Sequence, residues 1–148
     1  MYCNGNCEHL DSARRIERWK MMEEKKDRYL FRGKRIDNGE WVVGNLINSP
    51  DGRVAISETS GDWELHECIP TTICQCTGFR DKTGKLIWEN DIAYMRCNGL
   101  SGFGTVIYRD GSFWIDDKKR GRQYPFSNHD VKYRVDGNRF DNPELLNY

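Results

Sequence analysis

The first group of residues that could do chemistry is the run HECIPTTICQC, residues 66–76. It holds one histidine and three cysteines, namely His66, Cys68, Cys74 and Cys76. Residues two apart on a strand share a face, and four nitrogen and sulfur ligands are what a closed zinc site needs. Zinc fingers, however, space their ligands differently and hold them on turns. We therefore favour the alternative that these cysteines are small buried thiols.

Two weaker chemical candidates involve the other cysteines. The N-terminal run CNGNCEH offers three metal ligands, although a disordered terminus with chance cysteines is the simpler interpretation: Cys3, Cys7 and His9. A thiol- or metal-dependent enzyme is the catalytic alternative, because Cys76 could pair with His66, or Cys97 with His129. Nothing in the neighbouring sequence marks either cysteine as activated. The sequence thus favours a protein that is not an enzyme.

A basic stretch follows the Asp110-Gly111 turn. Its cations are candidate contacts for nucleic acid or another anion: Arg109, Lys118, Lys119, Arg120 and Arg122, with Lys132 as a neighbour. Aromatic residues surround them: Phe113, Trp114, Tyr124 and Phe126. Small β-barrels bind single strands with basic loops and stacking aromatics. We favour the interpretation of a solvated loop, because Asp116 and Asp117 dilute the charge and the aromatics lie on predicted strands, where they would serve the core.

The composition limits the classes of protein to which this chain can belong. The chain has 148 residues, no net charge, 31% charged and 37% hydrophobic residues, which fits a folded domain with one core. The basic excess lies in residues 1–35, so a strongly basic nucleic-acid domain is disfavoured, although a local patch is not. We expect no membrane span and no secretory signal, because no long apolar run is present. The six cysteines are then expected to be reduced in a cytoplasm.

The elements that position these residues are mostly short strands. Residues 11–28 predict one N-terminal helix, and from Tyr29 onward the apolar pattern alternates. Asn38-Gly39 and Asp110-Gly111 predict tight type I′ hairpins, whereas residues 58–67 and the glycine-rich run CNGLSGFG (97–104) are interpreted as loops. Asn142-Pro143-Glu144 predicts a short C-terminal helix. Many short strands at regular spacing predict a small barrel or sandwich.

Four blocks of sequence follow one another in a specific order: RYLFRGKRIDNGEWVVGNLI (28–47), IPTTICQCTGFRDKTGKLIWENDI (69–92), GTVIYRDGSFWI (104–115) and VDGNRFDNPELL (135–146). Together they resemble the YopX family of phage and prophage proteins, over about residues 28–147. Two departures bring cysteines. Cys74-Gln75-Cys76 stands where the family usually has Gly-Gln-Tyr, and residues 1–27 form an extension. The family forms this fold without those cysteines, which implies that metal is not needed for folding.

The resemblance implies a mainly β protein, a small SH3-like or partly open β-barrel built from antiparallel hairpins, to which the residue pattern adds an N-terminal α-helix and a short C-terminal helix. It divides the chain into a mostly helical extension, residues 1–27, and a β domain, residues 28–148. It implies expression from phage or prophage DNA in a bacterial cytoplasm, and it supplies no catalytic residue and no cofactor. We therefore expect a non-catalytic binding or assembly module that forms homo-oligomers. The alternative partner is nucleic acid, or a phage or host protein.

Overall fold

The computed structural model describes residues 12–18, 27–58, 64–127 and 129–147, and two antiparallel sheets dominate them. The first sheet has six strands in the order β4-β3-β2-β1-β5-β6: β1 (Phe31–Lys34), β2 (Trp41–Asn48), β3 (Val54–Glu58), β4 (Leu65–Cys68), β5 (Cys74–Arg80) and β6 (Leu86–Trp88). The second has five strands in the order β10-β9-β8-β7-β11: β7 (Asp91–Cys97), β8 (Leu100–Arg109), β9 (Ser112–Asp117), β10 (Arg122–Pro125) and β11 (Lys132–Asn138). The prediction of a mainly β protein is confirmed.

Both sheets are open in the part of the chain that the structure describes. The six-stranded sheet bends so that β4 returns to the end of β1, where Ile36 N–H donates to the Glu67 carbonyl at 3.0 Å and Ile69 N–H to the Lys34 carbonyl at 2.8 Å. One isolated bridge, between Arg35 and Cys68, marks this return, and no closed ladder follows it. A closed barrel is therefore not formed, and the expected SH3-like topology is not confirmed.

The two predicted hairpin turns have different outcomes. Asp110 and Gly111 both have positive φ, 51° and 75°, as a type I′ turn between β8 and β9 requires. At the first hairpin only Gly39 has positive φ, at 70°, and its N–H donates to the Arg35 carbonyl at 2.9 Å. The prediction of a hairpin there is confirmed, but the loop is longer than a two-residue type I′ turn.

Two segments predicted as loops contain strands. Residues 65–68 of the acidic segment form β4, and residues 100–104 of the glycine-rich run belong to β8. The glycines of β8 are there for packing: a Cβ on Gly102 would collide with the ring of Tyr124, and one on Gly104 with the backbone of β9. These glycines therefore mark close approach in a sheet and not a flexible loop.

The helices are small parts of the fold. Residues 12–18 are helical and exposed, whereas residues 11 and 19–26 of the predicted helix lie outside the described residues. At the C-terminus Pro143–Leu146 form one 3₁₀ turn, with Pro143 at its start and Glu144 in its first turn. The Asn142 side chain does not cap this turn, because its Oδ1 accepts from Asn138 N–H at 3.2 Å. The predicted short C-terminal helix is thus not confirmed, because this segment forms only a single 3₁₀ turn.

The sheets share a core and an ion pair. Ile87 of the first sheet is fully buried among Ala93, Val106 and Ile115 of the second. Beside this core, the Nη2 atom of Arg32 on β1 donates to Asp91 Oδ1 on β7 at 2.6 Å. Asp91 is buried and Arg32 is partly buried, and this contact ties one sheet to the other.

Candidate functional site

The buried cysteines pack against apolar side chains in two clusters of the core. Cys68 lies in a cluster with Val42 and Ile56, while Cys74 and Cys76 lie in another with Trp88. Burial raises the pKa of all three thiols above the ordinary value. The three thiols therefore stay protonated near neutral pH. Metal binding and nucleophilic attack both use the thiolate, so both are disfavoured at these cysteines.

Hydrogen bonds agree with the protonated state. Cys68 Sγ donates to the His66 carbonyl at 3.4 Å, and Cys74 Sγ donates to the Thr72 carbonyl at 3.2 Å. The structure therefore does not gather the four ligands predicted from the run 66–76. Cys3, Cys7 and His9 lie outside the described residues.

The predicted basic region is divided by the fold. Arg109 ends β8 beside the β8–β9 turn, whereas Lys118, Lys119 and Arg120 form the turn between β9 and β10. The six-residue strand β9 separates the two groups by about 17 Å. Arg109 also lies 3.2 Å from Asp110, as an ion pair on the surface. Arg122 begins β10 beside the second group, so Arg109 alone is separated from the other four predicted cations.

The β9–β10 turn is anchored by a buried carboxylate. Asp117 accepts from Phe103 N–H at 3.2 Å, from Arg120 N–H at 3.0 Å and from Arg120 Nη1 at 2.9 Å. Burial alone would raise the pKa of Asp117, but these donors outweigh it and hold the pKa below the ordinary value. Lys119 and Arg120 consequently stand next to Phe103, with which they line a cavity of about 390 Å³.

The side of the second sheet that faces away from its core carries a row of cations and aromatics. Cross-strand partners share a face, and Arg134 on β11 stands opposite Tyr94 on β7, which stands opposite Phe103 on β8. The guanidinium carbon of Arg134 lies 5.0 Å from the centroid of the Tyr94 ring, within cation–π range. Asp136 holds Arg134 in place through two hydrogen bonds, 2.6 and 2.9 Å long.

The next row on this side holds two cations directly opposite each other. Lys132 on β11 pairs with Arg96 on β7, and both side chains are exposed. Neither has an ion pair or a hydrogen bond from its side chain within the described parts of the chain. Like charges in this relation destabilise a sheet, so an anion bound between them would be stabilising.

We call this surface the basic–aromatic face, and it consists of Tyr94, Arg96, Phe103, Lys119, Arg120, Lys132 and Arg134. Lys119 and Arg120 belong to the set predicted from the sequence, and Lys132 was expected as a neighbour of that set. The sequence pattern that was not recognised is the spacing of Tyr94 and Arg96 on one strand and of Lys132 and Arg134 on another. Residues two apart on a strand lie on the same face, so each of these pairs shares one face of its strand. Three of the predicted aromatics have other roles, since Tyr124 is buried and Phe113 and Phe126 pack on the core. Trp114 lies beside Arg109, whose guanidinium carbon is 5.9 Å from the centroid of its ring.

Comparisons with known proteins identify the family to which this fold belongs. The sequence profile of the YopX protein family matches residues 20–147. The chain belongs to the YopX family. The crystal structure of the YopX protein from Bacillus subtilis has the same fold, with a TM-score of 0.52 and 19% sequence identity, over 80% of this chain and 98% of that chain. No curated protein sequence matches this YopX family member.

Among the residues described, no helix is both long enough and apolar enough to cross a bilayer.

Proposed function

We propose that this YopX family member is a non-catalytic binding module whose ligand is single-stranded nucleic acid, bound on the basic–aromatic face. The observation that carries the proposal is the exposed cross-strand pair of Arg96 and Lys132, which have no acidic partner in the described chain. Cations in this arrangement neutralise phosphates. The proposal places the phosphate backbone along this pair.

The aromatic row supplies the second part of recognition. Tyr94 and Phe103 are half-buried neighbours on adjacent strands, so their rings form a platform on the sheet. Bases stack on such rings whatever their identity, provided that they are unpaired. An unpaired strand therefore fits this surface better than a duplex, whose bases are stacked on each other.

The charges predict how binding depends on salt. The chain has no net charge, so attraction at long range is weak and the affinity must come from local phosphate contacts. Each neutralised phosphate of a single strand contributes about −0.7 to the slope of log K against log salt. The pair of Arg96 and Lys132 should thus account for a slope of roughly −1.4.

The experiment is fluorescence anisotropy of labelled single-stranded DNA and RNA oligonucleotides against the full-length protein, over a series of salt concentrations. The test variant is Arg96→Ala/Lys132→Ala. The matched control is Lys82→Ala/Lys85→Ala, which removes the same charge from two exposed lysines in the β5–β6 turn. We expect the test variant to lose affinity and salt dependence, while the control keeps both. Equal losses in the two variants, or no binding by the parent protein, contradict the proposal.

An assembly module is the second candidate, and one observation favours it. Ile47 on β2 and Leu65 on β4 are 45% and 60% exposed, and they line a groove of about 420 Å³ together with Ala55. A second copy of the chain offers the same apolar surface, as a two-fold interface requires. We propose this groove as the surface through which homo-oligomers form.

Native mass spectrometry tests the assembly directly. The variant Ile47→Ser/Leu65→Ser should shift the parent oligomer to monomer. Leu100→Ser changes a side chain that is 46% exposed on the other sheet and should leave the oligomer intact. A parent protein that is already monomeric, or an oligomer that survives the double substitution, contradicts this candidate.

We further propose that the protein acts in a bacterial cytoplasm as an accessory protein of phage or prophage origin. Membership of the YopX family supports the origin. The free cysteines Cys68, Cys74, Cys76 and Cys97 support a reducing compartment. Fractionation of the native host should recover the protein with the cytoplasmic proteins, and recovery from the cell surface or medium contradicts the proposal.

A further inference from the structure

Two carboxylates and a histidine converge where β3 and β4 begin to separate. Glu58 N–H donates to the Glu64 carbonyl at 3.1 Å, so these two residues stand opposite each other across the strands. His66 lies two residues beyond Glu64, on the same face. Its Nε2 is 3.7 Å from Glu58 Oε2 and 3.5 Å from Glu64 Oε2. The ligand atoms of all three residues lie within 4.8 Å of one another.

The histidine lacks a partner of its own. Its side chain is only 10% exposed, yet its ring makes no hydrogen bond in the described chain. The distances from Nε2 to the two carboxylates are at or beyond the limit of a hydrogen bond. The imidazole is therefore directed at two carboxylates without a hydrogen bond to either.

The charge of the group is also unbalanced. Glu58 and Glu64 place two negative charges opposite each other, and no lysine or arginine forms an ion pair with either among the residues described. Arg35 lies in the same region, but Asp37 holds its guanidinium through hydrogen bonds of 2.9 and 2.5 Å. A divalent cation with two carboxylates and a neutral imidazole has no net charge, which removes the repulsion.

We propose that Glu58, Glu64 and His66 bind a divalent cation of the zinc type. One imidazole and two carboxylates form a ligand set that Zn²⁺ accepts, with a fourth position left for water. Zinc–ligand bonds of about 2.0–2.1 Å at tetrahedral angles give ligand–ligand distances of about 3.4 Å. The 3.5 and 3.7 Å distances from His66 Nε2 are close to this value, so small side-chain shifts complete the site.

The proposed site uses the predicted histidine with different partners. Cys68 follows His66 on β4, but it is a protonated thiol in the apolar cluster, and Cys74 and Cys76 lie in another cluster. The glutamates are brought to His66 only by the pairing of β3 with β4. A cation there would join the two strands at the open end of their hairpin.

The experiment is isothermal titration of Zn²⁺ into the full-length protein that carries Cys3→Ser and Cys7→Ser, so that the thiols of the N-terminal run cannot compete. Glu64→Gln is the test variant, because Glu64 is 69% exposed and its replacement should not disturb folding. Glu67→Gln is the control, since Glu67 is exposed on the same strand and points to the opposite face.

We expect one equivalent of Zn²⁺ to bind to the parent and the control with equal affinity. Glu64→Gln should weaken binding by about tenfold or more, since lesser changes around metal sites already cost that much. At the same concentration, Zn²⁺ should also raise the melting temperature of the parent and the control by more than that of Glu64→Gln. Absence of binding by the parent, or equal affinity of the Glu64→Gln and Glu67→Gln variants, overturns the proposal.

Discussion

Arg96 and Lys132 are direct cross-strand partners on β7 and β11, and they expose two like charges on one face of the five-stranded sheet. The fold does not need this pair, because repulsion between the charges weakens the pairing of the strands. The pair is explained if it serves an anionic ligand.

Neutralising one of these cations should stabilise the fold and weaken binding at the same time. For Lys132→Gln we expect the free energy of unfolding to rise by about 0.2–1 kcal/mol at low salt, because the repulsion with Arg96 is removed. Urea denaturation measures the first effect, and oligonucleotide anisotropy the second. A variant that loses stability together with binding would show that Lys132 is a structural residue.

The ring of Tyr94 should contribute stacking energy that does not depend on salt. Tyr94→Ala is expected to cost about 1–3 kcal/mol of binding free energy, while the slope of affinity against salt stays unchanged. Tyr94→Phe keeps the ring and should bind as the parent does. Equal binding by all three proteins in the anisotropy assay would remove Tyr94 from the interface.

The ion pair between the sheets should be important for stability. Asp91 is 2% exposed, and burial raises its pKa above the ordinary value although Arg32 opposes the rise. Asp91→Ala leaves the Arg32 guanidinium buried without its partner, and we expect a loss of about 3–5 kcal/mol in urea denaturation. Asp51→Ala, which breaks a pair with Arg53 on the surface, should change little.

Asp141 should make the free energy of unfolding depend on pH in the acid range. The side chains of Lys34, Trp41 and Asn138 donate to its carboxylate, and they lower its pKa to about 2. Since the unfolded value is about 3.9, the carboxylate stabilises the fold above that pH and loses its contribution as the pH falls towards 2.

The matched variant for this prediction is Asp141→Asn. Its free energy of unfolding should lie below that of the parent at about pH 6, and the difference should vanish near pH 2. Chemical denaturation at several pH values measures both proteins. A difference that stays constant with pH would mean that the charge of Asp141 is not involved.

Much of the fold follows from local sequence. Asp110 and Gly111 adopt the expected turn, and Ile87 and Ile92 are fully buried as their place in the pattern indicates. β4 was not predicted because only one of its residues, Cys68, is buried, while its apolar Leu65 is exposed. The strand exists because β3 and the end of β1 supply its hydrogen bonds, and such distant partners leave little trace in a local pattern.

The candidate site was less predictable for the same reason. Arg96 and Lys132 are 36 positions apart in the sequence, and only the pairing of β11 with β7 makes them neighbours. The cations that are close in sequence, Arg109 and Lys118, are separated by the length of β9. Proximity along the chain was therefore a poor guide to proximity on the sheet.

The most direct test of the proposed interface is a nuclear magnetic resonance titration of the isotope-labelled protein with a short single-stranded oligonucleotide. We expect the amide signals of β7, β8 and β11 around Tyr94, Phe103 and Lys132 to shift in proportion to the amount bound, while those of β2 and β3 stay in place. Shifts confined to the six-stranded sheet, or no shift at saturating oligonucleotide, would contradict the assignment of the basic–aromatic face as the binding surface.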